Sequence, residues 1–150
     1  MTGKRRITWG VILLLVAGVL IWCAGQSSHE AQAKAQFQAD RIQMEEVALW
    51  ILERGSAEGT QPPTGWRYVR YYTQKIPVVD FALGGSGFGS QTAYWGVQYV
   101  PDDKPVGFQG EYWDYWKAKD GGRVYYDPEG DNRCYVKKID TNWYYYEARF

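Results

Sequence analysis

The residues best suited to hold a metal ion lie in one short segment near the C-terminus. Asp127, Glu129 and Asp131 alternate with proline and glycine and are followed by Asn132, and oxygen ligands at alternate positions are typical of Ca²⁺-binding loops. The segment does not meet the EF-hand pattern, because its glycine is misplaced and no Glu stands at the twelfth position. A hairpin turn has the same composition. The sequence therefore favours a turn, with calcium binding as the alternative, and we predict no metal and no cofactor.

Nucleophilic and acid–base residues form no constellation that we can name. The one histidine, His29, lies beside Glu30 in a polar segment, where we expect it to be solvated. Cys134 is expected to be a buried apolar residue, with a bridge to a partner chain as the alternative. Glu111 and Asp114 lie three residues apart on a predicted strand and would point to opposite faces, so they do not make an acid–base pair. We predict no catalytic residues.

A glycine-rich segment, Gly84–Ser90, has the composition of a phosphate-binding loop. It lacks the G-K-[ST] ending of such loops, and no helical pattern follows it. We therefore predict a flexible loop or a bulged strand edge, inside an irregular stretch from Ile76 to Thr92.

Aromatic side chains offer the better-supported chemistry, which is binding. The chain has 8 Trp, 13 Tyr and 5 Phe residues, and all but four of these lie from Trp66 onward. Rings provide stacking surfaces for sugars and for partner proteins, although a small domain also needs large side chains to fill its core. Strands with rings on both faces cannot hide them all in one core. We predict that the ligand-binding rings are Trp113, Tyr115, Trp143 and Tyr145.

The last strand illustrates the expected packing, because its side chains alternate between two faces. Charged residues mark one face as the solvent side, and we therefore expect the other face to pack inward. The predicted inward face holds Tyr144, Tyr146, Ala148 and Phe150, and the predicted outward face holds Trp143, Tyr145, Glu147 and Arg149.

The formal net charge of zero is the sum of two unlike parts. Lys4, Arg5 and Arg6 precede an uncharged apolar run, and all 17 acidic residues follow it. As a helix, this run would span roughly 28 Å, close to the ~30 Å apolar thickness of a bilayer. We predict a transmembrane signal anchor at residues 7–25, with residues 1–6 in the cytoplasm and the rest of the chain exported.

Two other interpretations of the apolar run stay open. A cleaved signal peptide shares the basic start and the apolar core, and a cut after Gly25 would have small residues before it. A lipoprotein would use Cys23, but Trp22 stands where such signals carry a small residue.

Residues 26–55 are predicted to form a helical stalk that packs on the domain. Good helix formers dominate from Ser28 to Arg54, without Gly or Pro. The first half is mostly Ala and Gln and has little to bury, so we expect it to be the stalk proper. Gly55 is the predicted C′ glycine, and residues 56–65 form a linker rich in Gly and Pro. The second half carries an apolar stripe for packing, formed by Phe37, Met44, Val47, Ala48 and Ile51 and widened by Ile42, Leu49 and Leu52.

Residues 66–150 are predicted to form a small, aromatic-rich antiparallel β-meander domain, which makes the fold class α+β. Segments rich in Tyr, Trp and Val alternate with short turns of Gly, Pro, Asp and Asn, and no helical pattern lies between them. The candidate strands are Trp66–Lys75, Ala93–Val100, Val106–Lys117, Arg123–Asp127, Arg133–Ile139 and Trp143–Arg149.

The order of membrane helix, stalk and β-meander resembles the layout of type IV pilins and pseudopilins. The resemblance covers the arrangement of the chain and none of the motif. Those families carry a Glu inside the apolar run after a leader that ends in Gly, whereas residues 7–25 contain no acidic residue. We therefore predict a pilin-like layout without assigning the family.

These features favour a single-pass module in the inner membrane, with its β domain in the periplasm or outside the cell. The leading hypothesis is non-enzymatic binding of an envelope protein or glycan, as in an immunity- or exclusion-type protein or an envelope-complex subunit. One alternative is a structural, pilin-like or secretion-apparatus subunit that oligomerises through the anchor and the stalk. A second alternative is a carboxylate-based hydrolase. The neutral charge argues against nucleic acid as a partner.

Overall fold

The computed structural model describes residues 28–88, 91–111, 115–126 and 132–150. In these residues one helix packs on one antiparallel sheet of seven strands, which confirms the α+β class. No helix among the described residues is long and apolar enough to cross a bilayer, and the predicted anchor at residues 7–25 lies outside them. The elements are α1 (His29–Arg54), β1 (Tyr68–Tyr72), β2 (Val78–Phe88), β3 (Gln91–Tyr99), a 3₁₀ turn (Phe108–Gly110), β4 (Lys117–Lys119), β5 (Gly122–Tyr126), β6 (Arg133–Asp140) and β7 (Trp143–Arg149).

Helix α1 begins and ends where local capping signals place it. The Ser28 side chain accepts a hydrogen bond of 3.2 Å from the Ala31 N–H, and Gly55 takes the left-handed conformation at φ 72°. The first half of the helix, expected to be a stalk, instead packs on the sheet like the second half. Its small Ala33 allows a close approach, so the apolar face is buried along the whole helix: Ala33, Phe37, Met44, Ala48 and Ile51.

The sheet is not one simple meander. Its strand order is β1-β2-β3-β7-β6-β5-β4, and every neighbouring pair is antiparallel. Two meanders, β1–β3 and β4–β7, are therefore joined where β3 pairs with β7. After β3 the chain crosses to the far edge of the sheet before β4 begins, and the last strand returns to the centre. This long-range pairing corrects the predicted meander and keeps its antiparallel character.

Strand β2 occupies the stretch predicted to be irregular. Its glycines serve pairing, because the Trp95 side chain lies directly against Gly84, where an added Cβ would approach the ring to 2.3 Å. The register shifts between Ala82 and Gly84, just before the segment predicted to be a loop or a bulged edge, and Gly84 to Phe88 themselves pair regularly with β3.

The predicted strand from Val106 to Lys117 is largely wrong. Of its described residues only Lys117 belongs to β4, and the segment of residues 100–111 packs on one face of the sheet. The reason is that this face needs a cover: Val106 is fully buried there, and the Phe108 ring packs 5.6 Å from the Tyr146 ring. The sheet is thus covered on both faces, by α1 on the helix side and by this segment on the loop side.

Candidate functional site

The structure places the predicted binding rings in different environments. Tyr115 is 82% exposed, as expected, whereas Trp143 and Tyr145 are 0% and 1% exposed. The expected exposure of these two rings is wrong, because α1 covers their face and Phe37 packs 5.0 Å from the Trp143 ring. Trp113 lies outside the described residues. The charged residues at the end of β7 predicted a solvent-exposed face along the whole strand, but only the end of β7 extends beyond the helix.

An uncovered part of the helix side forms the candidate site. Helix α1 packs mainly over β2, β3 and β7, so β4, β5 and much of β6 extend beyond it. This area forms a groove of about 270 Å³ beside the first turn of α1, hereafter the groove. Its lining consists of Glu30, Lys119, Asp120, Val124, Tyr126, Arg133, Tyr135, Glu147 and Arg149.

The floor of the groove combines one fixed ring and one open ring. Tyr135 packs edge-on against Tyr145, with centroids 6.3 Å apart, and its hydroxyl donates a 3.1 Å hydrogen bond to the Asp120 carbonyl. Tyr126 is 46% exposed, and Val124, which pairs with Tyr135, is buried. A flat ligand therefore meets an apolar floor in which the Tyr135 ring is held in place.

The acidic walls of the groove are neutralised within the protein. Burial alone would raise the pKa of Glu30, but hydrogen bonds from Lys137 and Lys34 outweigh it and lower that pKa. The ion pairs measure 2.8 Å from Lys137 Nζ and 2.6 Å from Lys34 Nζ. Both lysines are thus engaged with Glu30 and are not offered to a ligand.

Glu147 is held in the same way. Burial would raise its pKa, but hydrogen bonds from Arg149 and from the Tyr145 hydroxyl, the latter 3.0 Å long, lower the net value. By contrast, no side-chain hydrogen bond or ion pair joins Lys119 or Arg133 to another described residue. Within the described part of the chain, these two cations on the rim are the groups left for a ligand.

A second cavity of about 530 Å³ adjoins the groove, and the two share the lining residues Arg133, Glu147 and Arg149. His29 lies at its border and stacks on Trp95, with ring centroids 3.7 Å apart and planes 1° apart. His29 is thus solvated in part, with 41% of its side chain exposed, and it also has a ring partner that was not expected. No local sequence signal indicated this stacking, because its partner lies on β3.

Asp80 is the one buried carboxyl of the sheet interior among the described residues. Burial raises its pKa to about 7, and the nearby Tyr146 hydroxyl and Arg70 oppose that rise. The Asp80 carboxyl and the Tyr146 hydroxyl make no hydrogen bond of good geometry. Asp80 is only 2% exposed, so a substrate has no access to it in this structure.

Metal and thiol chemistry have no site among the described residues. No group of three His, Cys, Asp or Glu side chains there is arranged to hold a metal ion. The candidate calcium residues Asp127, Glu129 and Asp131 lie outside the described residues. Cys134 is free and buried, as predicted, and burial raises its pKa to about 12, which leaves the thiol unreactive at neutral pH.

No protein-family model, curated protein or solved structure shows significant similarity to this chain. The function must therefore be inferred from the geometry of the groove and from the sequence pattern. That pattern missed the groove residues Lys119, Tyr126, Arg133 and Tyr135. Strand alternation puts Val124, Tyr126 and Tyr135 on one face, but no sequence signal indicates that α1 leaves this face open.

Proposed function

We propose that the protein is a single-pass, membrane-anchored module that binds a protein or glycan partner in the cell envelope. The apolar run at residues 7–25 supplies the anchor, and the basic residues before it keep the N-terminus in the cytoplasm. The domain that follows is then displayed on the periplasmic or outer side.

The observation that carries the binding proposal is the open groove on an otherwise covered sheet. Its tyrosine floor suits the flat face of a sugar ring or an apolar side chain. Its rim cations, Lys119 and Arg133, whose side chains pair with no other described residue, suit carboxylate groups on the same partner. An envelope-complex subunit and an immunity- or exclusion-type protein both fit this arrangement.

A second candidate function is that of a structural subunit that packs laterally through α1. The outer face of the helix exposes Ile42, Leu49 and Trp50, at 73%, 51% and 45%. These residues lie close to one stripe of the helix, which favours contact with another helix. A carboxylate-based hydrolase is the weakest candidate, because Glu30 and Glu147 in the groove are already bound to cations.

The anchor is tested by fractionation and by labelling of the full-length protein. A Lys119→Cys variant is expressed in cells, and membranes are washed with alkaline carbonate. We expect the protein to stay in the membrane pellet. We also expect a membrane-impermeant maleimide to label position 119 once the outer membrane is opened and before the inner membrane is lysed. Release by carbonate, or labelling only after inner-membrane lysis, would overturn the proposal.

A further inference from the structure

One end of the sheet can be defined by the strand register. Directly opposed residues form a row across five strands at this end: Ser86, Ala93, Arg149, Arg133 and Tyr126. The β2–β3 hairpin continues beyond the row to Phe88, which pairs with Gln91. We name this the proximal end, and the opposite end, at Tyr99, Trp143 and Asp140, the distal end.

Helix α1 enters the domain at the proximal end. His29 stacks on Trp95, which pairs with Glu147 on β7, whereas Arg41 reaches Asp140 at the distal end with an Nε–Oδ2 distance of 2.7 Å. The apolar run ends at Gly25, and the helix cap is Ser28. Three residues span at most about 10 Å, so an anchor at 7–25 would hold the proximal end close to the bilayer surface.

Exposed rings gather at this same end. Phe88 is 96% exposed and Tyr126 is 46% exposed. Tyr115 is 82% exposed. Lys117 on β4 pairs with Val124 on β5, and because the strands are antiparallel, Tyr115 and Tyr126 lie two residues from this pair in the same direction, toward the proximal end. Among the described residues, the other large hydrophobic side chains with comparable exposure all lie on α1.

The distal end carries ion pairs, between Arg41 and Asp140 and between Lys138 and Asp103, as the proximal end does between Arg149 and Glu147. Trp50, on α1, is the one exposed ring among the described residues that lies elsewhere. The tether to the anchor would account for the gathering of the other three rings at the proximal end.

We infer that the proximal end rests on the bilayer surface, with Phe88 and Tyr115 in the interfacial layer. This inference rests on the anchor proposed above. Tyrosine concentrates at membrane–water interfaces because its apolar ring carries a polar hydroxyl, and the Phe88 ring adds apolar area. Arg149 at this end is engaged by Glu147 and Arg133 lies on the rim of the groove, so the inference assigns the contact to the rings and not to charge.

The test uses the full-length protein in nanodiscs of phosphatidylcholine that contain a headgroup nitroxide lipid. Cys23 is replaced by Ser, and a fluorescent label is attached at Ser86→Cys, at the proximal end. Lys75→Cys, in the β1–β2 connection at the distal end, is the matched control. Labelling of buried Cys134 is measured in protein that carries Cys23→Ser alone. We expect strong quenching at position 86 and none at position 75, with no dependence on salt.

A second set of variants tests the rings themselves. In the Ser86→Cys background, Phe88→Ala and Tyr115→Ala together should remove most of the quenching. The thermal unfolding midpoint should stay unchanged, because these two rings are 96% and 82% exposed. Quenching that survives the double change, or that arises only with anionic lipid, would overturn the inference.

Two failures are distinguishable. Protein that co-elutes with the nanodisc but shows no quenching at position 86 contradicts the surface contact and leaves the anchor intact. Protein that does not co-elute with the nanodisc contradicts the anchor, and the surface contact falls with it.

Discussion

The two faces of the sheet are both buried, yet their chemistry differs. The helix side is packed with apolar contacts, among them the rings of Phe37, Phe81 and Trp143. The loop side contains buried polar groups beneath its cover, including Asp80 and Gln98. The cover accounts for Gln98, because a helix satisfies its own backbone hydrogen bonds and an irregular segment does not, whereas the Asp80 carboxyl has no hydrogen-bond partner.

Gln98 shows how the loop side meets this requirement. Its side-chain amide donates a 2.9 Å hydrogen bond to the carbonyl of Val106 in the covering segment. A sheet face covered by a loop must therefore supply polar partners, and the helix side is free of that need. The same comparison explains where the groove forms, since the rigid helix covers only part of its face.

Trp143→Ala should have the largest effect and tests the apolar side. The ring is fully buried against Phe37, Phe81 and Tyr99, so its removal leaves a large cavity. We expect the free energy of unfolding to fall by about 4 kcal/mol, measured by urea denaturation of the full chain in mild detergent. A loss below about 1 kcal/mol would contradict the assignment of the main core to this face.

Asp80→Asn tests the polar side through its dependence on pH. The folded pKa of Asp80 is raised to about 7 by burial, so the folded state retains a proton that the unfolded state releases. Stability should therefore fall as the pH rises from 5 to 7, by at most about 1.4 kcal/mol per pH unit. The decline should end above pH 7.

The Asn variant has no such proton, and its unfolding free energy should be flatter across the same range. Denaturation curves at pH 5, 6, 7 and 8 make the comparison. Equal slopes in the two proteins would show that Asp80 is not the source of the pH dependence.

Gly96→Ala tests the pairing of β3 with β2. An added Cβ would lie 2.2 Å from the Phe81 carbonyl oxygen and 3.0 Å from the Tyr146 hydroxyl, so β2 and β3 must shift apart. We expect a loss of about 2 kcal/mol in the free energy of unfolding. Ser86→Ala, at an exposed position in β2, is the matched control and should leave stability unchanged.

Arg41→Ala should have the smallest effect. Its guanidinium bridges α1 to Asp140 on β6, but both side chains are more than a third exposed to solvent. Water and salt screen such pairs. Thermal unfolding should show only a small decrease at low salt, and the decrease should vanish at high salt. A loss as large as that of Trp143→Ala would show that ion pairs, and not apolar packing, hold the helix on the sheet.

The sequence predicted the parts of the fold that depend on local signals. Ser28 and Gly55 cap α1 through their own backbone neighbours, so the helix ends could be found without tertiary information. The glycines of β2 could not be interpreted in that way, because their role depends on the Trp95 ring on another strand. The pairing of β3 with β7 has no local signal either.

The candidate site was harder to predict than the fold. The charges of Glu147 and Arg149 indicated a solvent face for all of β7, but α1 buries that face as far as Tyr145. Tyr115 is exposed as predicted, because none of the described residues covers it. The groove exists because α1 does not reach β5. The spacing of residues in the sequence does not indicate how many strands one helix covers.

The most direct test of the central claim, that the groove binds an envelope partner, is site-specific photocross-linking in living cells. A photoactivatable phenylalanine replaces Lys119 on the rim of the groove, and in the matched control it replaces Lys75, which is also exposed. We predict a discrete protein or glycan adduct at position 119 that is absent at position 75 and is lost when Arg133→Ala is added. No adduct at position 119 in correctly localised protein, or the same adduct at both positions, would contradict the account.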